Sequence, residues 1–314
     1  MKILITGGAG FIGSHIAEHF QGRAEVRVLD NLVSGFQHNL DGLSVEFIHG
    51  SILDPKIVAQ AVAGVDFVFH LAAIVSVPES VQKPVQCAEV NTDGTVILLE
   101  SAVRAQVKKF ILSSSAAIYG NNPVMPKIET MTPEPQSPYA STKLDGEIHC
   151  ARFTRDAGLP TVCLRYFNVF GPRQNPRSAY AAAVPAFIDR ALKNETLTIH
   201  GDGTQTRDFI FVKDVAAANA HFALHSSATG VFNVASGRGI TINELAETIR
   251  RLAQSHSEIV HTATRAGDVK HSVADIAKLR AAGFAPSALF AEALPGTIRH
   301  FSEKQKNPSG GSQI

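Results

Sequence analysis

The sequence predicts an α/β fold: a doubly wound parallel sheet, Rossmann-type in pattern, with a smaller mixed C-terminal region. Three observations carry this. Short β-branched runs alternate with amphipathic helical stretches through the first half of the chain. Those runs are almost continuously apolar, as strands covered on both faces must be. After Phe170 the texture changes to loop-rich segments with fewer regular elements.

Taken in order, "KILITGG", "VRVLD", "VEFIHG", "VDFVFHLAA", "KKFILSSS" and "TVCLRYFNV" read as strands. Between them Phe11 to Phe20, Asp54 to Val62, Asn91 to Ala105 and Tyr139 to Ala157 read as helices. Beyond Phe170, "GPRQNPRSAY" is a loop, Ala182 to Leu192 a helix and "GDGTQTRDF" a turn. A late "GVFNVAS" strand is expected to return to the main sheet, and the chain from Thr241 onward to be helical and peripheral. The expected division is residues 1–167 plus 210–236 in one domain and 168–209 plus 237–302 in the other. Residues 303–314 are polar and Gly/Ser-rich, an expected disordered tail.

Bulk properties exclude several classes of function. At 314 residues with 45% hydrophobic residues, the chain can bury a sizeable core. A formal net charge of +1 with both signs dispersed offers no footprint for nucleic acid or an anionic membrane. No apolar run reaches the roughly 18 residues needed to span a bilayer. Cys87, Cys150 and Cys163 are scattered without metal-ligand spacing, so no metal is expected. Met1-Lys2 run directly into the first strand, and a cytoplasmic location is the expectation.

The first chemical motif is "TGGAGFIG", Thr6 to Gly13, directly after the opening strand. Gly7, Gly10 and Gly13 permit a tight turn, close approach of backbone to a pyrophosphate, and close packing of helix on strand. The phosphates would then sit on the N-terminus of the following helix. Asp30 ends the next strand about twenty residues on, where a carboxylate accepts from an adenosine ribose and repels a 2′-phosphate. NAD is therefore the expected cofactor rather than NADP.

The second is "SPYASTKLDG", Ser137 to Gly146. Tyr139 and Lys143 stand four apart at a helix start and share one face. A phenol with a reference pKa of about 10 is a weak base at neutral pH. An ammonium about 6 Å away, at an effective dielectric near 20, would favour the phenolate by about 3 kcal/mol, or about 2 pKa units. A positive nicotinamide ring would add to this and bring Tyr139 within range of general-base work.

The GxxGxxG spacing, "HLAA" at His70 to Ala73, "SSS" at Ser113 to Ser115 and the YxxxK pair together resemble the extended short-chain dehydrogenase/reductase family. The resemblance runs from Met1 to about Phe301 and implies an NAD-holding domain and a smaller one for a nucleotide sugar. It implies cofactor contacts at Gly7, Gly10, Phe11, Ile12, Gly13, Asp30, Asn31, Leu71, Ala72, Ala73, Ser113, Tyr139, Lys143 and Tyr166. Many relatives place an adenine-binding aspartate where this chain has Ser51, so an adenine contact through Ser51 and the Ile52 backbone is the corresponding expectation. Ser115 matches the serine that hydrogen-bonds the reacting sugar hydroxyl, with Ser113 and Ser114 as alternatives after a register shift.

Two positions narrow the reaction. Nucleotide-sugar 4,6-dehydratases carry acidic residues just after this serine, and UDP-glucuronate decarboxylases a glutamate; here stand Ala116 and Ala117. That leaves oxidation and re-reduction of one carbon, which is epimerisation. "RYFNVFGPRQ", "GDGTQTRDF" and "RAGD" are similar to substrate-domain motifs of UDP-sugar 4-epimerases. By that similarity Arg207 and Arg265 grip the diphosphate, Asp268 accepts from a ribose hydroxyl, and Asn168 and Gln174 contact diphosphate or sugar. Tyr180, in "SAYAAAVP", would line the uracil pocket. Ser272 stands where enzymes limited to unacetylated hexoses have a bulky tyrosine, "SVPES" from Ser76 resembles the N-acetyl-specific group, and Val75, where some hexose epimerases place a cofactor-contacting lysine, again distances the chain from the strict galactose enzymes. The expected substrates are UDP-GlcNAc and UDP-GalNAc, with UDP-glucose and UDP-galactose as further candidates, through a 4-keto sugar over tightly held, regenerated NAD. The helices Asn91 to Ala105 and Tyr139 to Ala157 would pair with a second subunit in a four-helix bundle. Kept open are a net dehydrogenase or reductase, a UDP-glucuronate 4-epimerase, and a non-catalytic NAD-sensing module.

Overall fold

A computed structural model describes residues 1–176, 182–264 and 269–306. The first half alternates as the sequence leads one to expect: β1 (Lys2–Thr6), α1 (Phe11–His19), β2 (Glu25–Asp30), β3 (Val45–His49), α2 (Pro55–Val62) and β4 (Phe67–His70). Two short helices, α3 (Val77–Gln82) and α4 (Pro84–Ala88), then lead through a π-helical turn at Glu89–Asp93 into α5 (Gly94–Arg104). After them come β5 (Lys109–Ser115), α6 (Pro138–Ala157) and β6 (Thr161–Tyr166). The helix expected from Asn91 therefore becomes α-helical only at Gly94, for a reason that lies in the site.

The second half carries β7 (Asn168–Phe170), α7 (Ala183–Leu192), β8 (Leu197–His200), β9 (Thr206–Phe211), α8 (Val212–Leu224), β10 (Gly230–Val234), β11 (Gly239–Thr241), α9 (Ile242–Leu252), β12 (Ile259–Thr262), β13 (His271–Ser272), α10 (Ala277–Ala281) and α11 (Phe290–Lys306). The region after Thr241 is thus not purely helical, since β12 pairs with β8 and β13 with β9. Glu303 to Lys306 belong to α11 rather than to a tail.

Seven strands form one parallel sheet in the order β10-β6-β5-β4-β1-β2-β3. The "GVFNVAS" strand joins its edge beside β6 as expected. Apolar residues of α1 and α8 pack with one face of the sheet, and those of α2, α5 and α6 with the other. That explains the unbroken apolar runs: the inner strands are buried on both sides, while the edge strand β3 stays partly exposed. A third cluster, including Phe187, Ile188, Leu245 and Leu294, joins α7, α9 and α11. A small sheet, β11-β9-β13 with β7 also on β9, lies on the C-terminal part of the chain. Because chain order reverses between β1 and β4, the carboxyl ends of these strands open a crevice, the usual ligand position in such sheets. Among the described residues, no helix is long and apolar enough to cross a membrane, and no cluster of His, Cys, Asp and Glu could hold a metal ion.

Candidate active site

The crevice floor is the turn from β1 into α1. Gly7 has φ +68°, and a Cβ there would lie 2.7 Å from the Ala72 nitrogen; a Cβ on Gly13 would lie 2.3 Å from the Gly7 carbonyl oxygen. Both glycines are thus required by close backbone packing rather than merely tolerated. Gly10 caps α1, and no side chain accepts from the first turn. The open N–H groups there, with Phe11 and Ile12 in that turn, form an anion cradle. Asp30, buried at the end of β2, accepts from Ala9 N (2.9 Å) and Leu32 N (2.8 Å). It is held against the glycine turn, with each oxygen retaining a free lone pair. Next to it Asn31 accepts from Val33 N at 3.3 Å. These features fit a dinucleotide: an uncapped helix start for pyrophosphate and a fixed carboxylate for ribose.

At the ends of β1 and β4, Thr6 Oγ1 and His70 Nδ1 are 2.7 Å apart, and His70 Nε2 lies 2.9 Å from Thr95 Oγ1. Burial holds His70 down to about 3, so this histidine is a neutral strut and not an acid or base at physiological pH. Leu71 N and Ala72 N donate to Thr6, which ties Leu71 to Ala73 over the glycine turn. Ser51 accepts from Leu53 N (3.1 Å), and the Ile52 side chain packs against Gly94.

Asn91 was legible in the sequence only as a helix start. Its side chain accepts from Ile74 N (2.7 Å) and donates to Ile74 O (3.0 Å) and Thr142 Oγ1 (3.0 Å). Thr142 in turn donates to Tyr139 O (2.9 Å), and Ser80 Oγ accepts from Tyr139 N (3.2 Å). Both backbone polar groups of Tyr139 are therefore taken up by the network that fixes the segment after β4. The π-helical turn around Asn91 accompanies this inward aim. The available signal was polar residues on helix faces that must pack inward.

Strand alternation at the end of β5 turns Ser114 to the face opposite Ser113 and Ser115. Ser113 donates to Tyr166 Oη (3.1 Å), which also contacts Asn219. Ser114 donates to Glu147 (2.5 Å). Ser115 accepts from Ala117 N (3.1 Å) and lies close enough to Tyr139 to act on its phenol. The register thus presents Ser115 to Tyr139 and gives the other two separate partners. Tyr166 is buried, and burial pushes its phenol up to about 12.

Ser137 accepts from Ala140 N and Pro138 opens α6, so the helix starts where its sequence indicates. Lys143 Nζ lies 5.9 Å from the Tyr139 ring centroid and donates to Ser113 O at 2.9 Å. Burial pulls Lys143 down to about 8. The helical spacing alone implies that Lys143 lowers Tyr139; in the isolated chain burial instead raises the phenol, with Ser115 opposing. Loss of hydration around the phenolate is the largest influence on it.

Of the remaining candidates, Asn168, Arg207 and Ser272 lie on the C-terminal sheet. Ser272 on β13 is directly paired with Arg207 on β9. Arg207 donates to Thr206 O (2.9 Å) and Asn168 to Asp208 O (3.2 Å). Asp208, fully buried, accepts from Ser236 N, Ser236 Oγ, Gly237 N and Ala274 N; it ties β9 to the end of β10 and to the residues after Ser272. Gln174 donates to Val169 O at 3.2 Å, and Ser76 caps α3 by accepting from Glu79 N. Tyr180, Arg265 and Asp268 lie outside the described residues.

Residues 3–235 match the NAD dependent epimerase/dehydratase family. Among solved structures, the chain is similar to the UDP-N-acetylglucosamine 4-epimerase of Methanobrevibacter ruminantium, determined with UDP-N-acetylmuramic acid (41% identity, 96% of this chain and 98% of that one, TM-score 0.94). It is also similar to the UDP-glucose 4-epimerase of Thermotoga maritima with UDP-glucose (39%, 97% and 100%, TM-score 0.93). A third is the UDP-glucose 4-epimerase of Thermus thermophilus with NAD (38%, 96% and 99%, TM-score 0.88).

Proposed function

The chain belongs to the NAD dependent epimerase/dehydratase family, and from that premise we propose that it inverts C4 of a UDP-hexose through a transient 4-keto sugar. The observation that carries the reading is the placement of Ser115 against Tyr139 beside a turn with no acid in it. That turn, Ala116–Tyr119, contains no carboxyl group, so the site lacks at that point the acid that elimination of water needs.

In this reading Ser115 holds the C4 hydroxyl and Tyr139 takes its proton. Lys143, protonated at neutral pH, favours the phenolate against the burial that opposes it. NAD, held by the glycine turn and Asp30, would supply the two-electron acceptor and donor and would stay bound and be regenerated over the cycle. Arg207 anchors the diphosphate, with Asn168 and Gln174 beside it and Arg265, Asp268 and Tyr180 completing the nucleotide site. The keto sugar turns about its phosphate link while UDP stays fixed, so C4 is re-reduced on its opposite face, and Tyr139 returns the proton to the C4 oxygen.

Ser272 leaves room for a 2-acetamido group, so UDP-GlcNAc and UDP-GalNAc are the first substrates, with UDP-glucose and UDP-galactose next. We assign a homodimer through α5 and α6, whose outer surface carries the half-exposed Ile148, and a cytoplasmic location. The test is separate incubation with UDP-GlcNAc, UDP-Glc and UDP-GlcA, monitoring each C4 epimer by NMR without added NAD. C4 inversion of the N-acetylated sugar is expected; inversion of UDP-GlcA alone, or a requirement for external oxidant, would overturn the reading.

A further inference from the structure

Behind the Tyr139–Ser115 contact lies a buried polar row that the reaction does not use. Ser114 on β5, Arg165 on β6 and Asn233 on β10 are direct strand partners, one row before that of Ser115 and Tyr166. Ser114 and Arg165 converge on one carboxylate of α6. Glu147 accepts from Ser114 Oγ (2.5 Å), Arg165 Nε (2.9 Å) and Arg165 Nη2 (2.7 Å). Glu147 and Arg165 are 6% and 3% exposed, so the pair is withdrawn from water. Arg165 is fixed from its other side as well. Its guanidinium lies 4.8 Å from the Tyr119 ring centroid, and Tyr119 Oη donates to Asn233 Oδ1 at 2.6 Å.

Tyr139, Lys143 and Glu147 stand at i, i+4 and i+8 of α6, on one helical face. The carboxylate therefore joins the helix that carries Tyr139 to the strand residue adjacent to Ser115. A buried ion pair contributes little net stability compared with apolar side chains of equal volume, but a bidentate fork fixes direction and distance as an apolar contact cannot. We propose that Glu147 and Arg165 are positioning residues, which with Ser114 set the register of α6 on β5 and so the approach of Tyr139 to Ser115. The proposal rests on the functional reading above only in naming the reaction that the register serves.

The consequence is a loss of rate without a loss of substrate binding, because none of the three side chains belongs to the proposed nucleotide-sugar contacts. The experiment compares the native holoenzyme with Ser114→Ala and with the apolar pair Glu147→Met plus Arg165→Met. It measures kcat and KM on whichever UDP-sugar the native protein turns over, and titrates Tyr139 by tyrosinate absorbance against a Tyr139→Phe reference. A displacement of about an ångström is enough to lower kcat roughly a hundredfold. We expect that loss in the apolar pair and a roughly tenfold loss in Ser114→Ala, with KM within about twofold. In both, Tyr139 should ionise at higher pH as Ser115 moves away from the phenol. A folded variant whose kcat and Tyr139 titration match the native protein, or one in which KM alone changes, would overturn the proposal. If the apolar pair does not fold, Ser114→Ala, which deletes one hydroxyl, decides alone. If the native protein turns over no UDP-sugar, the functional reading fails, while the titration still decides the register.

Discussion

Around Tyr139 the backbone N–H and C=O are both engaged, Lys143 is buried, and Ser113, Ser114 and Ser115 each hold a different partner. On the C-terminal sheet, Arg207 and Ser272 are partly exposed neighbours brought together by the pairing of two strands. The contrast separates two tasks. Proton transfer requires heavy atoms placed within hydrogen-bond reach and a controlled dielectric, and the residues proposed for it sit in buried, multiply held positions. In the proposed reading, recognition of a flexible, hydrated diphosphate and sugar tolerates looser support, and selectivity would rest on the volume that Ser272 leaves free.

If the contrast holds, substitutions at the Tyr139 end change kcat and those at the other end change substrate choice. The largest effect is expected for Tyr139→Phe, which keeps the ring but removes the proton-transferring group. It should lower kcat roughly a thousandfold with KM nearly unchanged, measured by NMR of the C4 epimers.

Next is Lys143. Replacement by Met should lower kcat roughly a hundredfold. The pH dependence has a definite sign: as pH rises through about 8 the buried ammonium loses its proton, and its support of the phenolate goes with it. The native enzyme should therefore show an alkaline limb near that pH, and Lys143→Arg should carry the limb upward because a guanidinium stays charged. A pH–rate profile of the two proteins checks this; coincident limbs would remove Lys143 from the role.

Asp30→Asn should weaken NAD roughly tenfold by fluorescence titration, since a hydrogen bond to a charged acceptor is exchanged for a neutral one, and it should narrow the preference against NADP. The smallest and most selective effect belongs to Ser272→Tyr. It should lower turnover of UDP-GlcNAc roughly tenfold and leave UDP-glucose near its native rate. An equal loss on both sugars would show that Ser272 does not read the 2-substituent.

Much of this arrangement was legible in the residues. Continuous apolar runs specify strands covered on two faces, Ser137-Pro138 marks a helix start, and the glycines at 7, 10 and 13 mark a phosphate turn, all because the controlling interactions are local. The serine register was narrowed but not closed; in the fold Ser113 donates to Tyr166 and Ser114 to Glu147, which leaves Ser115 as the serine proposed to work with Tyr139. The strands at Ile259–Thr262 and His271–Ser272 escaped notice because they are short and take their stability from β8 and β9, not from their own pattern. Asn91, Thr142 and Asp208 were passed over for the same reason: each is an ordinary polar residue until its distant partners are known.

The sequence by itself determined the doubly wound sheet, the dinucleotide turn, and the Tyr139–Lys143 spacing, since periodicity, glycine conformation and helical pitch act over a few residues. Only the tertiary structure decided that Tyr139 is raised rather than lowered, that Arg207 and Ser272 are neighbours, and that Glu147 grips Arg165 and Ser114. Desolvation, strand pairing and buried ion pairs depend on what surrounds a residue in space, and the chain brings those surroundings together only when it folds.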